Sequence, residues 1–198
     1  MARPIYFDTE TTGTRAGFDR IVELAAFDPE NNRSFVRLVN PGIPIPQEVI
    51  NIHKITDAMV QDAPSFKEVM TEFLDFCEGD IALVAHNLIN FDLPFLQGEC
   101  KRVGISLPSH WMYVDTLIWA RRYRKDLPRH SLQYLRQMYG APANQAHRAL
   151  DDVITLHTVF QAMIDDLSID QVAKLLDKTQ KTEKVEVAKP QEVALSLF

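Results

Sequence analysis

The stretch FDTETTG, Phe7 to Gly13, follows the apolar pair Ile5-Tyr6 and carries two carboxylates, Asp8 and Glu10, two residues apart. Side chains alternate faces along a strand, so both carboxylates point the same way. Two like charges this close raise each other's pKa unless a cation lies between them. Alone, the pair has two readings: half of a cation site, or a strand end fraying into solvent.

Working outward, residues 3–9, 21–28 and 34–40 are short, apolar-rich and separated by turn residues. They read as three strands in an antiparallel meander. The segment NPGIPIPQEV (40–49) reads as a proline-rich loop. Helical periodicity follows over 65–78, with Phe66, Val69, Phe73 and Phe76 or Cys77 on one stripe. IALVAH (81–86) is a continuous apolar run of buried-strand type. Residues 93–103 read as a helix and 111–115 as a further strand. Helices are then expected over about 116–125, 131–139, 148–165 and 168–177. Strands first, then alternation around a buried strand, predict an α/β domain with a mixed sheet. From Lys178 the chain turns polar and lysine-rich, then ends in the apolar ALSLF. The expected organisation is a domain over 1–177 and a flexible C-terminal tail over 178–198.

Bulk composition narrows the function classes. With 198 residues, 46% of them hydrophobic, the chain can bury a core of one ordinary domain. It has no apolar run of about 18 residues to cross a membrane. Its start, MARPIYFDTE, meets charge too soon for a secretory signal. Cys77 and Cys100 lack metal-ligand spacing and read as buried thiols in a reducing cytosol, which implies a cytoplasmic protein. The net charge of −6 argues against a non-specific nucleic-acid binder. It leaves room for an enzyme that holds nucleic acid through metal ions.

Further acids join the first pair. In AHNLINFDLPFL (85–96), Asp92 precedes a helix with Pro94 in its first turn, so a structural role as N-cap is expected beside any ligand role. In AHRALDDVITLHTVF (146–160), Val153, Leu156, Val159, Phe160 and Met163 form the apolar stripe of a helix. Asp152 falls on or beside that stripe, whereas Asp151 shares a face with Thr155, Thr158 and Ala162. A carboxylate driven inward is costly unless paired or bound to metal. His147 lies five residues before Asp152, about 140° away on an ideal helix, which places it in the preceding loop. Hard oxygen donors without cysteine suit Mg²⁺ or Mn²⁺. Three or four carboxylates can hold two such ions roughly 3.5–4 Å apart, the arrangement that clamps both oxygens of a phosphodiester displacement. A histidine beside it can act as general base for water.

FDTETTG, AHNLINFDLPFL and HRALDD resemble, in order and spacing, the three motifs of the DnaQ-like DEDDh 3′→5′ exonucleases. That group includes the proofreading epsilon subunit of bacterial DNA polymerase III, the TREX enzymes and RNase T. The resemblance covers about residues 3–165, and His147 before Asp152 fits the histidine subtype. It implies an RNase H-like fold, with a mixed five-stranded sheet and helices on both faces. By position, Asp8, Glu10 and Asp152 would ligate the tighter of two Mg²⁺ or Mn²⁺ ions. Asp8 would bridge to the second ion, Asp92 would complete the site, and His147 would be the general base. Thr11 and nearby backbone would contact the terminal nucleotide. NIHKIT (51–56) also resembles a segment lining the family's site, making His53 a substrate-side candidate with Asn87. From His86 to Asp92 the chain has one residue more than the epsilon pattern and is closer to the TREX version.

The resemblance implies release of nucleoside 5′-monophosphates from DNA 3′ ends, single-stranded or frayed, in replication proofreading or repair. An exoribonuclease is the alternative on the same site, and a non-catalytic nucleic-acid-binding or clamp-binding relative is the rival from another class. Two features remain. Arg121, Arg122, Arg124, Lys125 and Arg129 cluster in an otherwise acidic chain and read either as phosphate contacts or as a solvated helix face. ALSLF resembles the sliding-clamp peptide of bacterial replication proteins, with Ala194 where glutamine is usual and Leu195, Leu197 and Phe198 as anchors.

Overall fold

In a computed structural model, residues 2–142, 148–168 and 170–171 are described. The opening meander consists of β1 (Arg3–Thr11), β2 (Ile21–Asp28) and β3 (Arg33–Leu38), paired antiparallel. Two short helices, α1 (Gln47–His53) and α2 (Asp57–Val60), follow, and then α3 (Phe66–Phe76). Parallel strands β4 (Ile81–Ala85) and β5 (Met112–Asp115) extend the sheet beyond β1, with α4 (Asp92–Val103) between them. The chain continues through α5 (Thr116–Tyr123), α6 (Leu132–Met138) and α7 (Ala149–Asp165). The sheet order β3-β2-β1-β4-β5 makes β1 the centre of a mixed five-stranded sheet, as expected.

Alternation along β1 sorts the core into two layers. Ile5 and Phe7 pack with Val69 and Phe73 of α3 and with Phe95 and Leu96 of α4. Tyr6 faces the other way, into a layer with Trp119 of α5 and Val153, Leu156 and Phe160 of α7. Asp8 and Glu10 continue the Tyr6 face, so they emerge toward α7. Thr9 continues the Phe7 face, toward α4. The sheet therefore has helices on both faces, and its central strand sends carboxylates to one side and a hydroxyl to the other.

Two sequence expectations are corrected. The stretch 40–49 is not loop throughout. Pro46 occupies the N-cap of α1, which begins at Gln47, because a proline with φ near −60° precedes a helix without strain. Asp92 does not cap α4 either. It is the first helical residue, Phe91 is the N-cap, and no side-chain cap bond is made there. Serine caps form elsewhere: Ser65 and Glu68 close a capping box on α3, and Ser131 accepts from the Tyr134 amide at the start of α6. His147, the boundary near 177 and the tail with Leu195, Leu197 and Phe198 lie outside the described residues.

A candidate metal centre at the strand ends

Asp8, Glu10 and Asp152 converge. One carboxylate oxygen from each lies within 4.8 Å of the others. β1 supplies the first two from one face, and the first turn of α7 supplies the third from its inward side. Asp152 is 9% exposed, and its neighbour Asp151 is less deeply buried, as the apolar stripe of α7 requires. The register of β1 against β2 shifts between Glu10 and Thr11, a bulge that ends regular pairing just beyond the two acids.

The electrostatics of this corner are unfavourable for a bare protein. Desolvation raises the Asp8 carboxyl well above the usual range, and the charges of Asp92, Glu10 and Asp152 raise it further. Glu10 is pushed up to about 8, first by burial and then by Asp152 and Glu23, with Arg148 opposing. Three carboxylates that repel one another, made of hard oxygen donors, fit a divalent cation.

Asp92 approaches from the opposite side of β1. Thr9 Oγ1 donates to its Oδ1 at 2.8 Å, within the buried layer under α4. Burial raises the Asp92 carboxyl, and the Thr9 bond counteracts part of that rise. Asp92 is thus a charged neighbour of Asp8 and not a member of the close trio.

Three further residues organise the corner, and none was singled out from sequence. Glu23 stands directly opposite Glu10 on β2 and is 1% exposed. Its carboxylate accepts from the Ala149 amide at 3.1 Å and pairs with Arg148 at 3.3 Å, so it anchors the first residue of α7 to the sheet. Gln133 Nε2 on α6 donates to Asp152 Oδ1 at 2.9 Å, and Arg136 Nε in turn donates to Gln133 Oε1 at 3.0 Å. Asp115, fully buried at the end of β5, accepts from the amides of Asn87, Ile89, Leu117 and Ile118. That one carboxylate caps α5 and holds the turn leading to Asp92. The available signal for Glu23 was a lone acid interrupting the apolar run IVELAA (21–26).

The expected substrate-side residues are placed as follows. Thr11 is buried at the end of β1, and its hydroxyl donates to the Gly13 carbonyl at 2.6 Å. His53 ends α1, 1% exposed, and its Nδ1 accepts from the Ile55 amide at 2.9 Å. Asn87 lies just beyond β4 with φ of 73°, a left-handed conformation in which its backbone N–H donates to Asp115 Oδ1 at 3.1 Å. Among the described residues no helix is long and apolar enough to cross a membrane.

The chain is similar to known exonucleases and polymerases in sequence and to exonucleases in fold. A family model described as exonuclease, RNase T, matches residues 5–160. The chain is 34% identical over 197 residues to a PolC-type DNA polymerase III of Staphylococcus epidermidis, covering 96% of this chain and 14% of that protein. It is 36% identical over 166 residues to the corresponding Staphylococcus aureus protein, covering 82% of this chain and 11% of that one. The chain therefore spans a small part of these relatives. Among solved structures, exonuclease X in complex with 5′ overhanging duplex DNA superposes with a TM-score of 0.67 at 27% identity, over 87% of this chain and 99% of that one. The nuclease domain of 3′hExo, a DEDDh family member bound to rAMP, shares the fold with a TM-score of 0.68 at 19% identity, over 82% and 92% of the two chains.

Proposed function

The chain belongs to the exonuclease family that the RNase T model describes, and from that premise we propose that it removes nucleotides from DNA 3′ ends as nucleoside 5′-monophosphates. The observation that carries this reading is the convergence of Asp8, Glu10 and Asp152 at the end of the central strand. These three would hold a divalent ion, Mg²⁺ or Mn²⁺, and Asp8 with Asp92 a second. When bound, such ions offset charge on the attacking and departing oxygens of a phosphodiester. The remaining work falls to protein side chains. His147 takes the proton of the attacking water as general base. Glu23 fixes Arg148 and Ala149 at the entry to α7. Gln133 and Thr9 each donate to one oxygen, of Asp152 and Asp92 respectively, and help to orient them.

Likeness to polymerases that replicate DNA favours proofreading or repair, in the cytoplasm. Labelled DNA ladders, matched and 3′-mismatched, with and without Mg²⁺, test the activity, and RNA ladders test the ribonuclease alternative. Stepwise shortening from the 3′ end is expected, and its survival in the Asp8→Ala protein would refute the site. The ALSLF ending is proposed as a ligand for a bacterial sliding clamp, with Leu195, Leu197 and Phe198 as anchors. Deleting residues 191–198 should abolish clamp binding in calorimetry; unchanged affinity rejects it.

A further inference from the structure

A cavity of about 560 Å³ opens just past the end of β4, walled by His86, Asn87, Leu117, Arg121, Arg129 and His130. Ser131 and Leu132 complete its floor, and the next residue, Gln133, is the one bonded to Asp152. β4 runs parallel to β1 with Tyr6 level with Val84, so His86 and Asn87 stand at the end of the sheet where β1 carries Asp8 and Glu10.

The walls are held firmly. His86 Nδ1 shares a hydrogen bond with the Thr116 hydroxyl at 2.9 Å, and its Nε2 with the His130 carbonyl at 2.8 Å. The His130 ring in turn engages the Arg124 carbonyl at 2.8 Å. This chain of bonds ties the 124–130 segment to the end of β4, so the cavity exists before any ligand arrives. Burial lowers the His86 pKa, against the raising effects of the His130 carbonyl bond and Asp115, and the nearby Arg121 charge adds to the lowering.

The rim cations differ from their neighbours. Arg124 is committed to Asp126 by two bonds, of 3.0 and 2.9 Å. The Arg122 guanidinium lies over the Tyr123 ring, 5.9 Å from its centroid. Arg121 and Arg129 are exposed and form no ion pair among the described residues. In a chain with 27 acids to 21 bases, one cavity rim thus presents two guanidinium groups that no carboxylate neutralises among the described residues.

We propose that this cavity seats the phosphodiester backbone of a single strand upstream of the scissile bond, with Arg121 and Arg129 binding its phosphates. The ligand class is a single-stranded polynucleotide, and the inference rests on the exonuclease reading above. Guanidinium groups suit this role because they grip phosphate oxygens bidentately.

The test compares the full-length protein with its R121A/R129A and R121K/R129K variants. Substrates are (dT)10, (rU)10 and the p-nitrophenyl ester of thymidine 5′-monophosphate, which has no upstream phosphate. For R121A/R129A, the ratio of kcat/KM on polymer to kcat/KM on ester should fall at least about 10-fold, equivalent to ~1.4 kcal/mol. The lysine variant, which keeps the charge but not the bidentate fork, should recover only part of it. Binding of labelled (dT)10 with Ca²⁺ in place of Mg²⁺ reads the cavity without relying on turnover. There the slope of log Kd against log salt should shrink by about 1.4, at ~0.7 for each phosphate neutralised. A fall confined to (dT)10 or to (rU)10 supports the cavity and says which polymer it takes. An unchanged ratio with an unchanged slope overturns it. Wild-type protein that cleaves neither polymer, yet shows the slope change, sinks the exonuclease reading and keeps the cavity.

Discussion

Asp152 and Asp92 are each held by a neutral donor, the Gln133 amide and the Thr9 hydroxyl. Neutral donors orient a carboxylate without competing for the charge that a cation needs. Partners of this kind typically contribute 10–100-fold to metal affinity or activity. Gln133→Ala should therefore weaken Mn²⁺ binding about 10–100-fold in calorimetry while the fold survives, because Gln133 is only partly buried. Thr9→Val keeps the side-chain volume and removes the bond that restrains the Asp92 carboxyl from rising further. Its activity loss should deepen as pH falls, since Asp92 then protonates earlier. A Thr9→Val pH profile superimposable on wild type would show that the hydroxyl only fills space.

At the level of elements, the start of α7 carries the most consequence. Glu23 on β2 satisfies the Ala149 amide and pairs with Arg148, both at the point where the chain enters the helix. Glu23→Ala leaves a buried N–H unmet and should cost about 1–3 kcal/mol in urea unfolding. Glu23→Gln keeps an acceptor for the amide and should cost less, while relieving repulsion on Glu10. Equal losses for the two would mean that the charge, not the acceptor, anchors the helix. The strands and long helices were readable in the sequence because alternation and a 3.6-residue stripe are local signals, and Asp152 was separable from Asp151 on that basis alone. Alternation made Asp8 and Glu10 legible as a pair, whereas their grouping with Asp152 followed from the family resemblance. Glu23 was not, because its partner is 126 residues away and nothing local reports it. Asp92 misled in the opposite sense: a carboxylate at a helix start is locally a cap, but Thr9 of β1 donates to its oxygen. Helix α1 hid behind Pro44 and Pro46, which punctuate the segment whether or not a helix follows.

For the whole molecule, the carboxylate corner links stability to pH and to metal. Asp8, Glu10 and Asp92 have folded-state pKa values raised above their ordinary ones, mainly by burial and partly by one another. Between the ordinary range near ~4 and the raised values, the folded state binds more protons than the unfolded chain. Stability of the metal-free protein must then fall as pH rises through that window, up to about 8 for Glu10. Asp28 acts with the opposite sign: against the rise from burial, hydrogen bonds from Asn31 and Arg33 and the charge of Arg3 hold its carboxyl low, so its contribution is lost only in acid. In EDTA, the Tm should therefore peak in mild acid and decline toward pH 8. A bound divalent ion removes the repulsion and competes with protons, so its stabilisation should grow over the same interval. At a metal concentration of 100 times Kd the gain is about 2.7 kcal/mol. Thermal scans at pH 5, 6, 7 and 8, in EDTA and in MnCl₂, check both slopes. An Asp8→Asn/Glu10→Gln variant should flatten the decline in EDTA and lose the manganese gain together, because both come from the same oxygens. A variant that loses one effect and keeps the other would separate the repulsive corner from the metal centre.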